Sequence, residues 1–124
     1  MIVEIDRRSD EPVVRQIARQ IREAVAAGAV APGASLPSVR TLASDLGVNL
    51  NTVARAYRLL QEEGFVTIHG RSRVEAAAPA RRADAQTRTT LTAGLREALA
   101  RLRQAGVPAG QLRKLVDREI DALS

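Results

Sequence analysis

Residues 46–57 read LGVNLNTVARAY, and no other stretch restricts the fold as much. Before it, Leu42, Ala43 and Leu46 recur at helical spacing, and within and after it Val53, Ala56, Tyr57 and Leu60 do the same. Between the two patterns stand only Gly47, Val48 and Asn49. Glycine can take the left-handed backbone that ends one helix. Asparagine can cap the next by accepting a backbone N–H bond, with Val48 before the cap and Val53 four positions in forming a hydrophobic staple. The spacing therefore predicts a helix over 38–46, capped by Ser38, and another ending near Glu63 and Gly64, joined with almost no slack. This is the layout of a helix-turn-helix.

The flanking sequence fits around that unit. Val14, Ile17, Ile21 and Val25 predict an amphipathic helix over about 11–27, with Pro12 in its first turn and Gly28 as its stop. GAVAPGASLPS reads as a loop in which Pro32-Gly33 suits a type II turn and Pro37 blocks helix. FVTIHGRSRVEA predicts strands over 65–68 and 73–76 around a turn at Gly70. Three helices and a hairpin describe a winged helix. Residues 77–86 have proline, small residues and charges but no apolar period, as a linker would.

Beyond the linker, Leu91, Leu95, Leu99, Leu102 and Ala105 form one helical stripe. After Gly106-Val107-Pro108, a second stripe holds Leu112, Leu115, Val116, Ile120 and Leu123. These predict two antiparallel helices. So small a pair cannot bury both stripes by itself, because each apolar face needs a partner layer. The pair must therefore pack on the first domain or on another copy; in the second case these leucines, with Val116 and Ile120, are the dimerisation residues. The expected division is 1–77 as a winged helix-turn-helix domain, 78–86 as linker and 87–124 as a helical dimerisation tail, a mainly α (α+β) fold.

Composition narrows the chemistry. The 124 residues include no cysteine and one histidine, His69, which leaves no basis for a thiolate or histidine metal site, and no cofactor is expected. No nucleophile or phosphate-loop constellation is present, and Glu62-Glu63 point different ways on a helix, so no enzyme is expected. No apolar run approaches the roughly 18 residues of a membrane span, so a cytoplasmic protein without a membrane partner is expected. The net charge of +5 favours polyanionic partners, yet residues 1–77 hold ten basic and nine acidic side chains. Placement has to carry the functional argument.

On a helical wheel with Asn51 at zero, Arg55, Arg58 and Glu62 fall within roughly 40°, and Val53, Ala56, Tyr57 and Leu60 fall opposite. Exposed helix faces are ordinarily polar, but asparagine is a poor choice there on helix propensity. Asparagine and arginine are side chains whose paired groups read adenine and guanine edges in the major groove, and a helix-turn-helix presents the start of its second helix to that groove. Arg40, two residues past the Ser38 cap, can meet a phosphate or the groove edge. His69, Gly70, Arg71 and Arg73 on the hairpin extend this footprint to a neighbouring phosphate or minor groove.

The run from Pro12 to Val66 resembles the winged-helix domain of the GntR family of bacterial transcription regulators. It matches G-x-[VL]-x-P-G-x-x-L-P-S-x-R-x-L-A from Gly28 to Ala43 and V-N-x-N-T-V-A-R-A-Y from Val48 to Tyr57. The resemblance implies DNA contacts at Arg40, Asn49, Asn51 and Thr52, and more loosely at Arg55 and the wing. Two departures stand out: Ala54 occupies a position where many relatives are basic, and HGRSRV is shorter than the family's usual wing ending. Residues 78–124 resemble the two-helix tail of the YtrA-like branch in length and pattern. That branch implies a dimer through the tail and a small-molecule effector of unidentified chemistry.

The expectation is thus a homodimeric regulator, a repressor, on a double-stranded operator with inverted repeats. Its DNA-binding residues would be Ser38, Arg40, Asn49, Asn51, Thr52, Arg55, Arg58, His69, Gly70 and Arg71. A winged helix serving as a protein-interaction or assembly module is the alternative. It would show no sequence-selective DNA binding and no steep salt dependence.

Overall fold

The computed structural model describes residues 2–70, 72–80, 82 and 84–123. It divides into two compact units, residues 1–79 and 80–124.

In the first unit, helix α1 spans Val13–Ala26, α2 Val39–Leu46 and α3 Leu50–Glu62. Strands β1 (Ser35–Leu36), β2 (Val66–His69) and β3 (Arg73–Ala76) form an antiparallel sheet in the order β1-β3-β2. This is a winged helix-turn-helix. Its core gathers Ile17, Ala18 and Ile21 from α1, Leu42 and Ala43 from α2, Val53, Ala56, Tyr57 and Leu60 from α3, and Val66 and Val74 from the sheet. Each is buried, and enclosing one large aliphatic side chain contributes roughly 1.5–3 kcal/mol.

Three details depart from the sequence expectation. Pro12 is the N-cap of α1, not a residue of its first turn: its ψ of 144° is extended, and its carbonyl accepts the first helical bond from the Gln16 N–H at 3.0 Å. The loop before α2 contains β1. Pro32-Gly33 does form the expected turn, with the Ala34 N–H bonded to the Ala31 carbonyl at 2.9 Å and Gly33 at a φ of +82°. That turn lays Ser35 and Leu36 opposite Glu75 and Val74 of β3. Finally, Ala85 and Gln86, placed in the linker by composition, belong to a helix.

That helix, α4, spans Ala85–Gln104, and α5 spans Ala109–Ala122. Asp84 caps α4 by accepting from the Thr87 N–H at 2.9 Å and its hydroxyl at 2.6 Å. These bonds hold the Asp84 carboxyl below its ordinary pKa. Gly106, at a φ of +100°, ends α4 as the Val107 N–H reaches back to the Leu102 carbonyl at 3.0 Å. Leu112 is the buried side chain described on these helices.

The N-terminal segment is tied to α1 by two glutamines that stand in for a pairing strand. Gln16 accepts the Asp6 N–H at 2.8 Å and donates to the Asp6 carbonyl at 3.0 Å and the Glu11 carbonyl at 2.9 Å. Gln20 does the same at Glu4, accepting at 2.9 Å and donating at 2.7 Å. Gln16 is almost fully buried, and both ends of its amide are satisfied, as a buried amide requires.

Candidate nucleic-acid interface

The turn between α2 and α3 is built as its residues dictate. Gly47 lies at φ 66°, ψ 38°, and the Val48 N–H bonds back to the Ala43 carbonyl at 3.0 Å. Asn49 is extended and its side-chain oxygen accepts the Asn51 N–H at 2.8 Å. Ser38 caps α2 by accepting from the Thr41 N–H at 3.1 Å and donates to the Thr41 hydroxyl at 2.9 Å. Both helix starts are thus fixed by caps, each worth about 1 kcal/mol.

Tertiary ties then position these starts. The Tyr57 hydroxyl, on the buried side of α3, donates to the Pro37 carbonyl at 2.6 Å, which fixes the approach to α2 against α3. Burial pushes that hydroxyl up to about 12. Arg7 donates to the Leu46 carbonyl at 3.2 Å and the Gly47 carbonyl at 3.1 Å, placing a cation at the negative end of α2. Gln61, on α3, accepts the Ile68 N–H at 2.8 Å and so ties the wing to the same helix. The periodicity of the sequence placed Tyr57 only in the core. A lone tyrosine among buried aliphatics does signal that its hydroxyl needs a partner. Arg7 gave no such signal, because its acceptors lie about forty residues away.

Charge separates two classes of arginine. Arg19 binds Glu11 at 2.9 Å and holds that carboxyl below its ordinary pKa; Arg22 binds Glu63 at 2.7 Å and lies 5.8 Å from the centre of the Phe65 ring. Arg40, Arg55 and Arg58 are exposed and have no carboxylate partner among the described residues. The wing is less open. His69 Nε2 lies 3.2 Å from one Glu75 oxygen, and Arg73 Nη2 lies 3.2 Å from the other. A carboxylate therefore faces both His69 and Arg73.

The structure brings together most of the expected contact residues. Asn51, Arg55 and Arg58 share the exposed side of α3, Thr52 is half-buried beside them, and Asn49 and Ser38 are caps. A shallow cleft of about 360 Å3 runs between the starts of α2 and α3 and the wing turn, lined by Ser38, Val39, Arg40, Leu50, Ala54 and Ser72. Gly70 turns the hairpin at a φ of +64°. Arg71 lies outside the described residues. Among the described residues, no group of three His, Cys, Asp or Glu could hold a metal ion, and no helix is long and apolar enough to cross a membrane.

Comparison with known proteins agrees with this fold. The family model described as bacterial regulatory proteins, gntR family, matches residues 13–75. The chain is 44% identical over 71 residues to the HTH-type transcriptional repressor YtrA of Bacillus subtilis, covering 56% of this chain and 55% of that protein. It spans about half the length of the curated relatives it matches. Among solved structures, YtrA from Sulfolobus acidocaldarius, a GntR-family transcription factor, is 41% identical with a TM-score of 0.65, covering 81% of this chain and 99% of that one. A transcriptional antiterminator from Listeria monocytogenes EGD-e is 28% identical with a TM-score of 0.84, covering 100% of this chain and 94% of that one. The capped helix-turn-helix, the hairpin and the family match over the same residues lead to one conclusion: this chain belongs to the gntR family of bacterial regulatory proteins and resembles its YtrA members.

Proposed function

We propose that the chain is a sequence-specific DNA-binding transcription regulator, a repressor, that binds an inverted-repeat operator as a homodimer with one winged helix per subunit. The observation that carries this reading is the outward row of Asn51, Arg55 and Arg58 on α3 with Arg40 on α2, whose cations no carboxylate neutralises among the described residues. Such donors read base edges and phosphates when the start of α3 enters the major groove. Ser38, Asn49 and Thr52 border the same row, and His69, Gly70 and Arg71 reach the neighbouring backbone.

Residues 87–124 supply the dimer. Leu91 is 69% exposed and Leu95 53%, and a second copy related by two-fold symmetry would cover both helices alike. Any small-molecule effector, of unidentified chemistry, would bind where two copies meet, and the regulator works in the cytoplasm without a membrane partner. Selection of bound sequences from random DNA tests the reading. The expected result is enrichment of a two-fold-symmetric sequence whose affinity falls steeply with salt. Binding without sequence preference, or none at all, would instead favour a protein-interaction module.

A further inference from the structure

Leu50 is the first residue of α3 and remains 44% exposed. Scattered exposed leucines are ordinary on protein surfaces. This one has a specific setting. One helical turn on, half-buried Ala54 faces the same cleft, whose other walls are Ser38, Val39, Arg40 and Ser72. Among the described residues the lining contains no carboxylate and one cation, Arg40, which has no carboxylate partner. The cleft is therefore apolar on its α3 wall and positive at its edge, next to the donor row of Asn51, Arg55 and Arg58.

A DNA major groove offers an apolar group at its base edges, the 5-methyl of thymine. A helix whose start enters that groove brings its first residues against base edges. We propose that Leu50, backed by Ala54, is a specificity-determining residue that packs on the 5-methyl group of one thymine in each operator half-site. The inference rests on the DNA-binding reading above and adds the base chemistry recognised. The small Ala54 side chain leaves space for the methyl beside the helix, and Arg40 engages the adjoining phosphate so that Leu50 meets the same base step each time.

The test uses the full chain and the sequence it selects from random DNA. Each thymidine in turn is replaced by deoxyuridine, which removes the methyl and leaves the hydrogen-bonding edge intact. One position per half-site should lose affinity by about fourfold, the factor expected for one buried methyl-sized group. Leu50→Ala, whose folding is checked by its melting curve, should bind the thymidine and deoxyuridine duplexes equally. Equal affinity of wild type for both duplexes at every position overturns the inference while leaving DNA binding intact. So does a folded Leu50→Ala protein that keeps the thymidine preference. Failure to enrich any sequence overturns the DNA-binding reading itself, and this inference with it.

Discussion

In residues 1–79, Ile17, Ile21, Val53, Tyr57 and Leu60 are completely enclosed, whereas in residues 80–124 Leu91, Leu95 and Leu123 keep about half or more of their surface exposed. The cause is the number of layers available. The first unit sets three helices on a small sheet, so the main apolar face of each helix meets another element. The second has two helices, and two helices can cover one contact line between them but not the rest of each stripe. A closed core leaves its surface free to be polar, and α3 uses that freedom to line up amide and guanidinium groups. An open helix pair keeps its apolar faces outward, which suits association with a second copy.

Truncation should separate the two units most sharply. Ending the chain after Pro79 should leave a folded monomer in sedimentation, with operator affinity lowered by about two to four orders of magnitude, because two linked half-site contacts become one. A truncated chain that still sediments as a dimer would remove the role assigned to the tail. Core truncation should come next. Ile17→Ala should lower the unfolding free energy by about 2–5 kcal/mol, while Leu91→Ala should change that of residues 1–79 by less than about 0.5 kcal/mol. Equal losses in denaturant titration would show that the two regions do not differ as described.

On the polar face, Arg40→Ala or Asn51→Ala should weaken operator binding by about 1–3 kcal/mol at fixed salt, with unchanged melting. Unchanged affinity in a gel-shift titration would count against the row as the reading face. The smallest effect concerns the tie behind that face. Tyr57→Phe should cost about 1 kcal/mol of stability through loss of the hydrogen bond to Pro37. The hydroxyl is pushed up to about 12 in the fold and ionises near 10 when unfolded. Between those values the folded chain keeps a proton that the unfolded chain releases, so this stability is complete below about pH 10 and is lost as pH rises toward 12. Denaturant midpoints at about pH 9 and pH 11 should differ more for wild type than for Tyr57→Phe. An identical pH response in both proteins would assign the loss to other groups.

Particular residues show how far the sequence could be read. Gly47, Asn49 and Ser38 were legible because helix stops and caps are local: each acts on a backbone group within a few positions. The core of α3 was legible from its period, and so was its polar face. Strand β1 was not, since two residues carry no alternation and their partners, Glu75 and Val74, are about forty residues away. The setting of Leu50 was not legible, because a helical wheel sorts faces by polarity and does not show what stands beside them.

The sequence by itself determined the three helices of the first unit, the Ser38 and Asn49 caps, the tight Gly47-Val48-Asn49 joint and which side of α3 is polar, since all of these follow from spacing within one or two turns. Only the tertiary structure decided that Arg7 closes the end of α2, that Tyr57 holds Pro37 and hence the start of α2, and that Arg40, Leu50 and Ser72 share one cleft. Those contacts join segments distant in the chain, and such pairings become defined only when packing has already closed the loops between them.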